Sequence, residues 1–177
     1  MSIPSKISEY NKALSSYGAR LIAVSKTKPK EDLLQAYEAG QRDFGENKVQ
    51  ELADKAESLP KDINWHMIGH LQRNKVKYIA PFVSLIHSVD SPRLAAEINK
   101  QAAKYDRTID CLLQVHIADE ATKFVFDEAE LKEFLSSEAF ANMENIRITG
   151  LMGMATNTQD MEQVRQEFRS LKTLAAE

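Results

Sequence analysis

The chain has a single cysteine, Cys111, no apolar run approaching the ~18 residues of a membrane-spanning helix, and no massed charge of either sign. Each scarcity excludes something. One cysteine permits no intrachain disulfide and fits a reducing compartment. The amino terminus has no long apolar segment of the signal-peptide kind, so a cytoplasmic location is expected. A formal charge of −3 and a pI near 5.9, with the basic residues scattered, argue against a nucleic-acid or anionic-membrane binder. Three chemical signatures are missing as well: a Gly-rich P-loop, a G-x-G-x-x-G opening a helix, and a G-x-S-x-G elbow. Nucleotide hydrolysis, dinucleotide redox chemistry and α/β-hydrolase chemistry lose support accordingly.

What is present is an apolar fraction of 43% and a charged fraction of 28% over 177 residues, enough for one domain with a substantial core. No linker or low-complexity tract divides it. Short apolar runs at 21–24, 41–44, 64–68, 83–87, 109–117 and 146–152 alternate with stretches of helical period. Pro29 opens one such stretch and Gly40 closes it. In the next, Val49, Leu52, Ala53, Ala56 and Leu59 share a face, with Glu51 and Lys55 paired at i,i+4 on the other. Ser91-Pro92 reads as an N-cap and first helical position, and Asp127 with Glu130 as a capping box. Met161, Val164, Phe168, Leu171 and Ala175 mark a last helix, and a first is expected near residues 4–16. Six successive βα units imply a parallel sheet covered by helices, either doubly wound or a barrel. Polar groups at several run ends (Lys26, Glu46-Asn47, His66, Thr156) favour the barrel, which gathers all its strand ends at one mouth.

Lys26 is the first positive charge after the apolar run Leu21-Ile22-Ala23-Val24. It stands where barrel enzymes keep their chemistry, and a low-dielectric surround there would favour the neutral amine that forms a Schiff base. The plain alternative is a lysine opening a solvated loop, which is how Lys28 and Lys30 read. Gly45-Glu46-Asn47-Lys48 divides in the same way, between a turn with Asn47 as N-cap and an amide at the mouth beside Lys26. His66 and His70 are four apart, but that spacing pairs metal ligands only within a helix, and this run reads as strand then turn. With no second motif from Cys111, His87 or His116, metal binding is disfavoured.

In order along nearly the whole chain stand Ala23-Val24-Ser25-Lys26-Thr27, Phe44-Gly45-Glu46-Asn47-Lys48-Val49-Gln50-Glu51-Leu52, and Trp65-His66-Met67-Ile68-Gly69-His70-Leu71-Gln72-Arg73-Asn74-Lys75. Ile86-His87-Ser88-Val89-Asp90, Gln114-Val115-His116-Ile117-Ala118, Lys123-Phe124 and Gly150-Leu151-Met152 follow. This series resembles the pyridoxal phosphate (PLP) homeostasis proteins, the YggS group related to the N-terminal barrel of alanine racemase. The resemblance implies an α/β fold, a TIM-type (β/α) barrel with PLP at its mouth as a Schiff base on Lys26. It also implies that Asn47 neighbours the cofactor and Met152 walls its pocket, and it leaves His66 between cofactor contact and interior packing. The implied role is a cofactor carrier in vitamin B6 homeostasis without evident turnover, a monomer with PLP as its small-molecule ligand. A PLP-dependent racemase or decarboxylase of the same fold is the alternative, and a PLP-independent Schiff-base aldolase a third.

Two departures stand out. Val125 occupies a position where the family commonly has glycine. The family also continues for roughly fifty residues beyond the point matching Glu177, carrying strands seven and eight and the phosphate cup such barrels build there. The expectation is therefore a single barrel domain over residues 1–177 with about six of eight βα units, an unbridged gap on the order of 14 Å, and weakened phosphate anchoring.

Overall fold

The structure, a computed structural model, describes residues 2–118 and 125–177. The expected Lys123-Phe124 motif lies outside them. Helix α1 (Ile3–Ser15) precedes the first strand, and the order then runs β1 (Ala23–Val24), α2 (Lys30–Glu38), β2 (Asp43–Glu46), α3 (Val49–Ser58) and β3 (Asn64–Met67). After a 3₁₀ turn at Arg73–Lys75 come α4 (Val76–Ile79), β4 (Leu85–Val89), α5 (Pro92–Ala103), β5 (Ile109–Gln114), α6 (Glu128–Ser136), α7 (Glu138–Ala141), β6 (Ile146–Met152) and α8 (Met161–Leu174). All six expected strands form, in parallel and in sequence order β1-β2-β3-β4-β5-β6. Among the described residues β1 and β6 are each paired on one side only.

Alternation along the strands divides the sheet into two faces. In β5, Ile109, Cys111 and Leu113 are buried while Asp110, Leu112 and Gln114 are half-buried. The first set meets the helix layer, where Leu94, Ala95, Ile98 and Ala102 of α5 are also buried. Fully covering a Leu or Ile side chain stabilises the fold by roughly 1.5–3 kcal/mol, so this central slab dominates its stability. The outermost helix differs. The one buried residue of α8 is Glu167, whose carboxylate accepts from the Thr156 amide at 2.8 Å and the Thr156 hydroxyl at 2.7 Å.

Local signals largely held. Asp127 and Glu130 make both halves of a capping box. Ser91 stands at the N-cap of α5, but its hydroxyl donates to Asp90 at 2.9 Å instead of capping. Asn47 is not an N-cap. The helix begins one residue later, with Lys48 in the cap position and no side-chain cap, which leaves Asn47 in the strand-to-helix turn. The short helices α4 and α7 were not foreseen, because four residues are too few to establish a 3.6-residue period. Val125 adopts no left-handed backbone, since among the described residues only Thr27 and Asp106 do so without being glycine.

Candidate active site at the end of the first strand

Strand β1 is two residues long, but its ladder runs one residue further, with the Ser25 amide donating to the Gly45 carbonyl at 3.0 Å. Ser25 is buried, Lys26 is exposed, and the chain turns at once. The Lys28 amide closes that turn on the Ser25 carbonyl at 3.1 Å, with Lys26 and Thr27 as its central residues. Thr27 has φ 63°, a left-handed conformation at the turn position that glycine or asparagine normally fills. A β-branched residue there is strained, and such strain persists only where the surroundings impose it.

Those surroundings lie on the helix side of the sheet. Ser25 Oγ donates to Glu46 Oε1 at 2.6 Å. Lys55, from the middle of α3, reaches the same oxygen at 2.7 Å, the Ser25 carbonyl at 2.8 Å and Glu51 Oε1 at 2.7 Å. Glu51 Oε1 in turn accepts from the Thr27 amide at 2.6 Å. The side chains of Lys55 and Glu46 are 6% and 0% exposed. The Glu51–Lys55 pair, read from spacing as an ordinary helix-surface pair, is therefore half of a buried network. The Lys55 hydrogen bond is the main cause holding the Glu51 carboxyl below its ordinary range, with the Thr27 amide adding to it. Among the described residues Glu46 Oε2 finds no partner, and the carboxylate is held there through its other oxygen.

With Ser25 and Glu46 committed to α3, alternation sends Lys26 and Asn47 toward the opposite, inward face. Val24 pairs with Gly45, so Lys26 and Asn47 follow at matching levels on neighbouring strands, both exposed. The expected low-dielectric surround of Lys26 is not what the structure has. The edge of β1 is open, and the ammonium has no hydrogen-bond or ion-pair partner among the described residues. Apolar surface does lie alongside. Val24 is 54% exposed, and Ile22 and Ile68 close over the Gly45 position, 3.3 and 3.0 Å from where a Cβ would stand. Gly69 lets its loop press against Asn47, for a Cβ there would meet the Asn47 carbonyl oxygen at 2.5 Å. Met152, half-buried, pairs with Gln114 on the inward-facing register of β6. The structure thus brings Lys26 and Asn47 together and leaves Met152 on the far edge strand, with four strands between β1 and β6 in the ladder.

His66 is resolved as interior packing. Its Nε2 lies 3.0 Å from Asp43 Oδ1, and its Nδ1 lies 2.9 Å from His87 Nε2. A carboxylate only accepts, so His66 carries its proton on Nε2 and receives the Nε2–H of His87 on Nδ1. Burial is the main cause lowering both pKa values, and His66 helps bring His87 down to about 4. His70 takes no part, being exposed and 3.2 Å from Asp90. Sequence reading missed the His66–His87 contact, whose only signal was one histidine inside each of two successive runs. A cavity of about 1110 Å³ between α5 and the α6–α7 pair, lined by Pro92, Ala96, Phe134 and Met143, shares no residue with the Lys26 site.

A parallel βα sheet with an exposed lysine just past the end of its first strand is the arrangement of a partial (β/α) barrel that carries polar groups at the carboxyl ends of its strands. The profile of the family "Alanine racemase, N-terminal domain" matches residues 2–177. The "Pyridoxal phosphate homeostasis protein" of Aquifex aeolicus is 41% identical over 160 residues, 90% of this chain and 69% of that one. The structure of PipY from Synechococcus elongatus without PLP superposes with a TM-score of 0.86 at 35% identity, covering 96% of this chain and 80% of that one. The structure of PipY with PLP bound gives 0.82 at 34% identity over the same shares. The chain belongs to the alanine racemase N-terminal domain family, within its pyridoxal phosphate homeostasis group. No helix among the described residues is long and apolar enough to cross a membrane.

Proposed function

We propose that this chain binds pyridoxal phosphate in vitamin B6 homeostasis, holding it as a Schiff base on Lys26 over a single domain of residues 1–177. The observation that carries the reading is an exposed, unpartnered amine on a braced turn, with an amide and an apolar wall beside it. These residues suit the group. Lys26 supplies the nucleophile, Asn47 a hydrogen-bonding amide at the same level, and Val24, Ile22 and Ile68 a surface for an aromatic ring. When bound, PLP supplies an electrophilic aldehyde. Lys26 would hold that aldehyde through its Nζ, with the Asn47 amide at the same level to orient the group. The resemblance adds Met152 as a wall residue, from the inward register of β6 at the opposite edge of the sheet. The name of the Aquifex relative and the PLP-bound PipY structure support this ligand.

A carrier fits better than a catalyst. Racemisation needs acid–base groups on both faces of the cofactor. Here Glu46, Glu51 and Lys55 are committed to one another behind the sheet, and His66 and His87 to each other and Asp43. A single cysteine fits a reducing, cytoplasmic setting, and burial, which pushes the Cys111 thiol up to about 12, leaves it inert. The test is a visible spectrum after PLP addition to wild type and Lys26→Ala, followed by racemase assays on several amino acids. A new long-wavelength band in wild type alone, with no turnover, is expected. A band that survives the substitution contradicts the reading.

A further inference from the structure

Lys55 is a buried ammonium that the proposed chemistry does not use. Its three protons are all engaged, on the Ser25 carbonyl, Glu46 Oε1 and Glu51 Oε1. Buried ion pairs of this kind are weak devices for stability, since well-packed apolar residues often do as well. What this network has instead is position, for every branch of it ends on the residues either side of Lys26. One branch fixes Ser25 twice, through its carbonyl from Lys55 and its hydroxyl to Glu46. The other passes through Glu51 to the Thr27 amide and holds Thr27 at φ 63°. The Ser25 carbonyl also receives the Lys28 amide, so the oxygen that closes the turn is the one Lys55 anchors.

We propose that Lys55 is a positioning residue for Lys26, its buried charge bracing the turn on both sides of that lysine so that the amine is presented to the ligand without Lys55 touching it. This rests on the reading of Lys26 as the covalent site. The lysine side chain has four rotatable bonds, and its reach is set by where its Cα points. A turn held by Glu46, Lys55 and Glu51 removes backbone disorder before the ligand arrives, and a reactant held in place reacts faster than one that must be found. The same arrangement separates the two lysines chemically. Lys26 is exposed and has no partner among the described residues, whereas Lys55 is covered and fully hydrogen-bonded, so of the two only Lys26 is accessible to an aldehyde.

The test is a PLP titration of the full chain at a temperature well below unfolding, reading the long-wavelength band, its rate of appearance and the rate of borohydride trapping. The proteins are wild type, Lys26→Ala, Lys55→Met, Glu51→Ala and Glu51→Gln. Lys55→Met is expected to weaken PLP binding about tenfold and slow trapping similarly. Glu51→Ala, which keeps Lys55 on Glu46 but releases the Thr27 amide, is expected to weaken it about threefold. Glu51→Gln retains an oxygen for that amide and is expected to stay within twofold of wild type, a rescue that loss of fold stability would not produce. Wild-type affinity and trapping rate in both Lys55→Met and Glu51→Ala overturn the inference while leaving Lys26 as the site. Should Lys55→Met fail to fold, Glu51→Ala decides alone, with wild-type behaviour overturning the inference and a threefold loss supporting it. A wild-type band that Lys26→Ala also shows defeats the parent reading and this inference together.

Discussion

The two faces of strand β2 bury polar side chains in opposite ways. Toward α3, Glu46 is fully covered and meets a full positive charge on Lys55, which is shared with Glu51 and tied to the backbone around Lys26. Toward the inward face, Asp43 meets His66, and His66 meets His87, with Arg20 at 3.6 Å on the same Asp43 oxygen. The first cluster is charged on both sides and works by geometry. In the second, burial keeps the two imidazoles neutral, so it is held by hydrogen bonds that a proton would disturb. A buried charge can brace a turn only while its partner is present, whereas a neutral imidazole chain works only above the pH at which it charges.

Removing a partner from the charged face should break this contrast most severely. Lys55→Met strands Glu46 in a covered site, and a loss of about 3–5 kcal/mol is expected in urea unfolding. A loss below about 1 kcal/mol would mean that Glu46 is relieved in some other way. Gly69→Ala asks whether packing as well as charge fixes the end of β2. A Cβ 2.5 Å from the Asn47 carbonyl oxygen must push one backbone off the other, at about 1–3 kcal/mol by the same measurement.

The inward face should show itself in pH. Both histidines have folded pKa values below the unfolded one, so between about 4 and about 6.5 the unfolded chain binds more protons than the folded. Stability therefore rises with pH across that window and is lost as pH falls through it. His87 accounts for on the order of 1–2 kcal/mol once its partial exposure is allowed for. His87→Phe should flatten the urea midpoint between pH 5 and 7, and an unchanged slope would remove the neutral-imidazole assignment. Glu51→Gln is the smallest effect, about 0.5–1 kcal/mol at neutral pH, because Glu51 is partly solvated and keeps an oxygen for Thr27. Its loss should disappear below the wild-type Glu51 pKa, where the carboxyl is protonated in both states.

Much of the fold was legible in the sequence because apolar runs and helical stripes report burial directly. The six strands and the capping box at Asp127 came from such signals. The site was legible in one dimension only. Lys26 could be placed at a strand end, and Asn47 beside it, since adjacent parallel strands in sequence order put their ends side by side. Lys55 could not be read in the same way. Its i,i+4 spacing from Glu51 has the form of a solvated helix pair, and nothing local shows that Glu46 from the preceding strand lies beneath it. The His66–His87 contact was hidden for the same reason, because it depends on register between strands. Thr27 gave no warning either, since a left-handed turn is normally signalled by glycine or asparagine and here it is imposed from outside by Glu51.

Borohydride reduction of the wild-type protein with PLP, followed by peptide mapping by mass spectrometry, addresses the covalent role of Lys26 most directly. One reduced pyridoxyl group on Lys26, absent from the Lys26→Ala protein, is the expected result. A label on Lys28, Lys30 or another lysine at wild-type yield, or one that persists when Lys26 is replaced, would contradict it.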